Sequence, residues 1–275
     1  METPFPPFDP EGRPRPRFGR LGRVPLRVLL PNLVTLLALC SGLTAVRLAI
    51  EERIELALAA IVFAALLDGI DGRLARALKG TSRFGAELDS LADFVNFGCV
   101  PALMLYFWGL KETGSVGWIA ALAYAICAAL RLARFNVMLD DPHKPPFAGD
   151  FFTGIPAPAG AITVLLPIYL ELIGVPHGGV SAPIALLYCL AIGFLMISTV
   201  PAWSGKTLGR RVRRDMVLPL FVAVAIFFAL LASYPWIVLS VCSIIYLALL
   251  PVSTLRYRRQ MAAWRAARPE DLPAA

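Results

Sequence analysis

Charged residues are scarce: Asp, Glu, Lys and Arg fill only 16% of the 275 positions, against 58% hydrophobic residues and a mean hydropathy of +0.69. That balance excludes an ordinary soluble domain, whose surface needs far more charge. Histidine occurs twice, and His143 and His177 each stand alone between apolar runs, so surface or headgroup contact is expected of them rather than metal ligation. The five cysteines (Cys40, Cys99, Cys127, Cys189 and Cys242) fall inside apolar segments with no CxxC or other ligand spacing, which points to buried free thiols. No internal repeat is visible. The stretch SGKT, Ser204 to Thr207, has Val200 where a phosphate-binding loop requires its first glycine, so that motif is rejected.

What the chain has is apolar sequence in runs of roughly 20 residues, each enough to span about 30 Å of hydrocarbon as helix. The runs lie near 29–50, 54–76, 86–110, 115–139, 154–175, 183–203, 216–234 and 236–255. They predict an all-α, polytopic membrane helix bundle with about eight transmembrane helices. In the last pair ASYPW around Pro235 must serve as the whole turn, so seven is the alternative. The first run is too long for the apolar region of a cleavable leader and is expected to stay in the membrane.

The formal charge of +7 is distributed unevenly. Arg13, Arg15, Arg17, Arg20, Arg23 and Arg27 precede the first run, and Arg73, Arg76, Lys79 and Arg83 straddle the second junction. Arg134 and Lys144 flank the fourth; Lys206, Arg210, Arg211, Arg213 and Arg214 fill the sixth; Arg256, Arg258, Arg259, Arg265 and Arg268 follow the last run. The alternate loops hold Arg53, Lys111 and no basic residue in PHGGVSA. By the positive-inside rule, both termini face the cytoplasm, which requires an even number of spans and favours eight. A multi-pass protein of the cell (inner) membrane follows, with anionic lipids as counter-charge and no role for nucleic acid. Residues 1–27, rich in Pro, Gly and Arg, are expected to form a disordered or interfacial basic tail, 28–255 the membrane domain and 256–275 a cytoplasmic tail.

Against this background LLDGIDGRLARALKGTSRFGAELDSLADFVNF places Asp68, Asp71, Asp89 and Asp93 near the cytoplasmic ends of the second and third helices. Spacings of three and four put each pair on one helical face. Asp93 falls about 12 Å along its helix from Gly85, so the cluster lies at the membrane edge. Four converging carboxylates need cations, and hard oxygen ligands suit Mg²⁺ or Mn²⁺. Ion pairing with Arg73, Arg76 and Arg83 is the structural alternative. A cation-coupled transporter is the rival function, since intramembrane acids also mark ion pathways.

The eight residues Asp68, Asp71, Gly72, Ala75, Arg76, Gly85, Asp89 and Asp93, spread over 26 positions, resemble the signature of the CDP-alcohol phosphotransferase family without a departure. The resemblance implies a six-helix catalytic core, a homodimer, and two metal ions among the aspartates. It implies an attack by an acceptor hydroxyl on a CDP-linked lipid or alcohol, with release of CMP. Carried onto this sequence, Asp68, Asp71 and Asp89 would be metal ligands, and Asp93 a ligand and the general base. Gly72, Ala75, Arg76 and Gly85 would line the CDP site together with Asp68. In PNLVT, Asn32 and Thr35 could point polar atoms at that site, with helix capping as the alternative. RLARFN, carrying Arg131, Arg134 and Asn136, followed by FFTGIPAPAGA, resembles the bacterial and archaeal phosphatidylserine synthase branch of the family. That implies CDP-diacylglycerol and L-serine as substrates, with Arg131, Arg134 or Asn136 on the serine carboxylate. Glycerol 3-phosphate, inositol phosphate and choline are the alternative acceptors, because enzymes using them share the signature.

Overall fold

The computed structural model describes residues 26–78, 82–139, 151–176, 181–203 and 214–267. The readings made for the N-terminal tail, for Lys79, Lys144, His143 and His177, and for SGKT and the rest of the basic 204–213 link lie outside these residues. Almost all the described chain is helical: α1 (Leu26–Ile50), α2 (Ile54–Ala77), α3 (Arg83–Asp93), α4 (Val100–Trp108), α5 (Ser115–Leu139), α6 (Ala157–Val164), α7 (Leu166–Leu172), α8 (Ser181–Ile197), α9 (Arg214–Ser233) and α10 (Pro235–Ala267). A π-helical segment, Phe94–Cys99, joins α3 to α4 as one rod, and α6 and α7 form another, so eight rods occupy the eight apolar runs. Five stretches are long and apolar enough to cross a membrane: Leu29–Ile50, Arg83–Trp108, Ser115–Met138, Met216–Ser233 and Pro235–Ala262. The α6–α7 rod and α8 are shorter apolar helices. α2 has the length, with Asp68, Asp71, Arg73 and Arg76 in its last turns.

Prolines decide where the rods bend, and tyrosines repair them. Pro101 has no N–H to offer the Phe97 carbonyl four residues back, and there the helix widens into the π segment. The Tyr124 hydroxyl of α5, fully buried, donates to that carbonyl at 3.1 Å. Pro167 does the same to Thr163 at the α6–α7 break, and the Tyr188 hydroxyl of α8 donates to the Thr163 carbonyl at 2.6 Å. Each repair also fixes one rod against another.

α1 packs most extensively on α2, α5 on α8, and α10 on α7 and on a short strand. That strand, β2 (Pro201–Trp203), pairs antiparallel with β1 (Phe151–Thr153). The two strands correct the expected helical runs 154–175 and 183–203, whose helices instead begin at Ala157 and end at Ile197. Gly154 makes the junction possible. Its φ is 77°, its N–H donates to the Val200 carbonyl at 2.8 Å, and a Cβ there would approach the Ser198 carbonyl to 2.9 Å.

α9 has every described side chain but Leu231 exposed, as a lipid-facing helix would, and among the larger contacts between elements it packs only on α10. Tyr234 alone separates the two. Trp203 lies 5.3 Å beneath the Arg256 guanidinium of α10, and the 11 steps from Trp203 to Arg214 reach at most about 38 Å. An α9 continuing the line of α10 would begin roughly 60 Å from Trp203, so it must turn back along the bundle, which gives eight rods rather than seven. α10 itself continues to Ala267, through most of the segment read as a tail.

Candidate active site

Asp68 and Asp71 stand on the last turns of α2, and Asp89 and Asp93 on α3. α3 starts where it does because Ser82 is its N-cap, with Oγ accepting the Gly85 N–H at 3.0 Å. That cap aims the Asp89 face at α2. One carboxylate oxygen each from Asp68, Asp71 and Asp89 lies within 4.8 Å of the others. Asp93 stands outside this trio, with its side chain in hydrogen-bonding reach of Asp68. Asp71 is the most buried of the four, at 3% exposed.

Arg73, Arg76 and Arg83 form no ion pair with the cluster within 4.0 Å. Among the described residues the ion pairs within 4.0 Å are Arg47–Glu51 and Arg53–Glu51, at the far end of α1 and α2. Arg73, Arg76 and Arg83 are exposed. Asp71 Oδ1 and Asp93 Oδ1 are buried without a hydrogen-bond partner among the described residues. Buried anionic oxygens left open in this way suit a hard cation.

α1 supplies the third wall. The Thr35 hydroxyl, 4% exposed, donates to Asp71 Oδ2 at 2.6 Å and lies 3.1 Å from the Pro31 carbonyl. Beside the trio is a cavity of about 250 Å³ lined by Asn32, Thr35, Asp71, Gly72, Ala75, Arg76, Ser82, Gly85 and Asp89, among others. All the residues expected at the CDP site therefore meet here except Asp68, which adjoins through the carboxylate trio. Gly85 leaves the wall thin: a Cβ would approach Asn32 Oδ1 to 2.8 Å and Ser82 Oγ to 3.1 Å, so the Asn32 side chain would have to shift.

The three residues expected at the acceptor divide. Arg131 is 7% exposed, lies 5.2 Å over the Phe135 ring, and has Asp93 and Tyr246 as its charged or ionisable neighbours. Arg134 Nη1 donates to the Ile197 carbonyl at 2.6 Å, capping the end of α8. Asn136 Nδ2 donates to Ser90 Oγ at 3.1 Å, docking α5 on the turn between Asp89 and Asp93.

Two polar groups near the carboxylates escaped the sequence reading. Ser82 lines the cavity and caps α3. Asn96, in the π segment one turn beyond Asp93, is fully buried with neither amide atom paired among the described residues, and lies against Gly42 of α1. A lone Asn in the apolar run FVNF was the available signal.

Comparison with known proteins places this geometry in context. Residues 28–205 match the family described as CDP-alcohol phosphatidyltransferase, and residues 215–251 match CDP-alcohol phosphatidyltransferase 2. A relative from Mycobacterium leprae is 41% identical over 257 residues, covering 93% of this chain and 82% of its own. One from Helicobacter pylori (strain ATCC 700392 / 26695) is 34% identical over 221 residues, 80% of this chain and 88% of its own. One from Methanocaldococcus jannaschii is 35% identical over 181 residues, 65% and 77%. All three are described as CDP-diacylglycerol–serine O-phosphatidyltransferase.

Proposed function

Because this chain belongs to the CDP-alcohol phosphatidyltransferase family, we propose that the α1–α2–α3 cavity and its carboxylates carry out the reaction of its relatives. The enzyme transfers the phosphatidyl group of CDP-diacylglycerol to the hydroxyl of serine, giving phosphatidylserine and CMP. The serine oxygen forms a bond to the phosphorus bearing the diacylglycerol, the bond from that phosphorus to the CMP oxygen breaks, and the hydroxyl proton goes to a base on the enzyme.

The observation that carries the assignment of the site is three carboxylate oxygens within 4.8 Å of one another, with no arginine among the described residues pairing them. This donor set fits two hard divalent cations, Mg²⁺ or Mn²⁺, held by Asp68, Asp71 and Asp89 with Asp93 on the second ion. Bound there, the cations supply charge neutralisation on the diphosphate oxygens. The remaining work falls to the chain. Thr35 orients Asp71 through its 2.6 Å hydrogen bond. Gly72, Ala75 and Gly85 leave room for the nucleotide, with Asn32 and Arg76 offering polar contacts. Asp93 takes the serine hydroxyl proton, and Arg131, buried beside it, receives the serine carboxylate. Arg134 and Asn136 act one step removed, holding α8 and α3 in position around Arg131.

The protein is membrane-integral, and the basic loops favour cytoplasmic termini with the active site on the cytoplasmic side of the inner membrane. Nucleotide and amino acid then approach from water while the acyl chains stay in lipid. Residues 28–255 form the catalytic domain, with α10 running on past it to Ala267, and the working unit is a homodimer, as the family resemblance implies. The test is to supply purified enzyme with CDP-diacylglycerol and Mn²⁺, offer serine, glycerol 3-phosphate, inositol phosphate and choline separately, and measure CMP. Serine alone is expected to drive release; equal release with another acceptor overturns the assignment.

A further inference from the structure

The face that α10 turns inward is more polar than the one it turns outward. Ser243, Tyr246, Leu250, Ser253, Tyr257 and Gln260 recur at three- and four-residue spacing along its sheltered side, while Ile244, Ile245, Leu249, Val252 and Leu255 are exposed. Four of the sheltered residues end in a buried oxygen with no hydrogen-bond partner among the described residues: Ser243 Oγ, Tyr246 OH, Ser253 Oγ and Gln260 Oε1. The same helix shows that hydroxyls here can satisfy themselves. Ser240 donates to the Trp236 carbonyl at 2.7 Å and Thr254 to the Leu250 carbonyl at 2.9 Å. A row of buried oxygens left open in a membrane helix is costly unless something polar meets them.

A second observation says what. Arg131, buried and without an ion pair within 4.0 Å among the described residues, has Asp93 and Tyr246 as its ionisable neighbours. The far end of the polar row lies at the end of the bundle that carries the carboxylates: the Tyr257 ring is 5.3 Å from Phe151 of β1, and Arg256 lies over Trp203 of β2. From Gln260 to Tyr246 the row covers about 21 Å, from that end of the bundle down to the level of Arg131.

We propose that the inward face of α10 is the acceptor side of the active site, with Tyr246 donating its hydroxyl proton to the serine carboxylate beside Arg131, and Ser253 and Gln260 lining the route along which the amino acid enters. A phenol hydroxyl and a guanidinium both donate to the carboxylate, and Asp93 is left free for the serine hydroxyl. This rests on the assignment of serine as acceptor. It adds a binding group and an entry route from a helix that carries none of the signature residues.

The test uses the full-length enzyme in lipid nanodiscs with Mn²⁺, measuring CMP release while serine and CDP-diacylglycerol are varied in turn. Tyr246→Phe keeps the ring and removes the donor; it is expected to raise the serine KM at least tenfold with the CDP-diacylglycerol KM unchanged. Ser253→Val, which narrows the route and removes an oxygen, is expected to lower kcat/KM for serine about fivefold, and carries the test alone should Tyr246→Phe fail to fold. A general packing defect would move both substrates together, and that result, or an unchanged serine KM, overturns the proposal. The wild type is read in the same assay: CMP release independent of serine overturns the acceptor assignment and this proposal together. Serine-dependent wild type with unaffected variants overturns the α10 proposal alone.

Discussion

Replacing Thr35 by Val isolates the contribution of one hydroxyl to the metal site. Valine keeps the shape of the side chain, so the 4%-exposed position stays filled and the loss is confined to the 2.6 Å bond to Asp71 Oδ2 and the weaker 3.1 Å contact with the Pro31 carbonyl. A hydrogen bond to a charged group contributes about 1.5–3 kcal/mol, and removing it takes the only side-chain donor among the described residues from a buried carboxylate. If Asp71 holds a cation, that loss falls on its orientation, and groups in this supporting position typically change metal affinity by about 10–100-fold. The assay is a Mn²⁺ titration of CMP release at saturating CDP-diacylglycerol and serine, paired with a Mn²⁺ titration of thermal unfolding that does not depend on turnover. Half-saturation is expected to rise at least tenfold in both. An unchanged midpoint in both would show that the Thr35 hydroxyl serves only its own helix, through the Pro31 carbonyl, and that Asp71 is positioned without it.

Gly85→Ala should raise the CDP-diacylglycerol KM severalfold with little effect on serine, because its methyl would approach Asn32 Oδ1 to 2.8 Å at the cavity wall; steady-state kinetics with each substrate varied check this. Tyr124→Phe leaves the Phe97 carbonyl unpaired behind Pro101 and should lower stability by about 1–3 kcal/mol without changing either KM, read from denaturation in nanodiscs. Single cysteines placed in the 204–213 link of a cysteine-free variant should be protected from an impermeant reagent in intact cells; labelling from outside reverses the proposed orientation.

The sequence carried the spans well because the width of hydrocarbon fixes run length, and most of the rods start and stop within a few residues of the apolar runs, the ends of α8 and α10 excepted. The carboxylates were legible for a similar reason: spacings of three and four leave little freedom about which faces meet once α2 and α3 both pack on α1. What was illegible depends on partners far along the chain. The π segment needs Pro101 to free a carbonyl and Tyr124, on another rod, to take it. The β1–β2 pair joins segments some 50 positions apart, and neither three-residue strand has a pattern of its own. The sequence pointed Arg134 at an acceptor because an arginine in a membrane helix needs an anion, and it could not show that the Ile197 carbonyl at the end of α8 also meets its guanidinium. The polar row on α10 was visible in hindsight as Ser, Tyr, Ser and Gln at helical spacing. The direction in which it faces comes only from packing.

The account stands most directly on the carboxylate assigned as base. Formation of phosphatidylserine from labelled serine, measured alongside CMP for wild type and Asp93→Asn at saturating Mn²⁺, is expected to give equal amounts of the two products in the wild type. In the variant the rate is expected to fall by about 10²–10⁴-fold while CDP-diacylglycerol still binds. A variant that keeps the full rate would contradict the assignment of the base and, with it, the placing of the chemistry between α2 and α3.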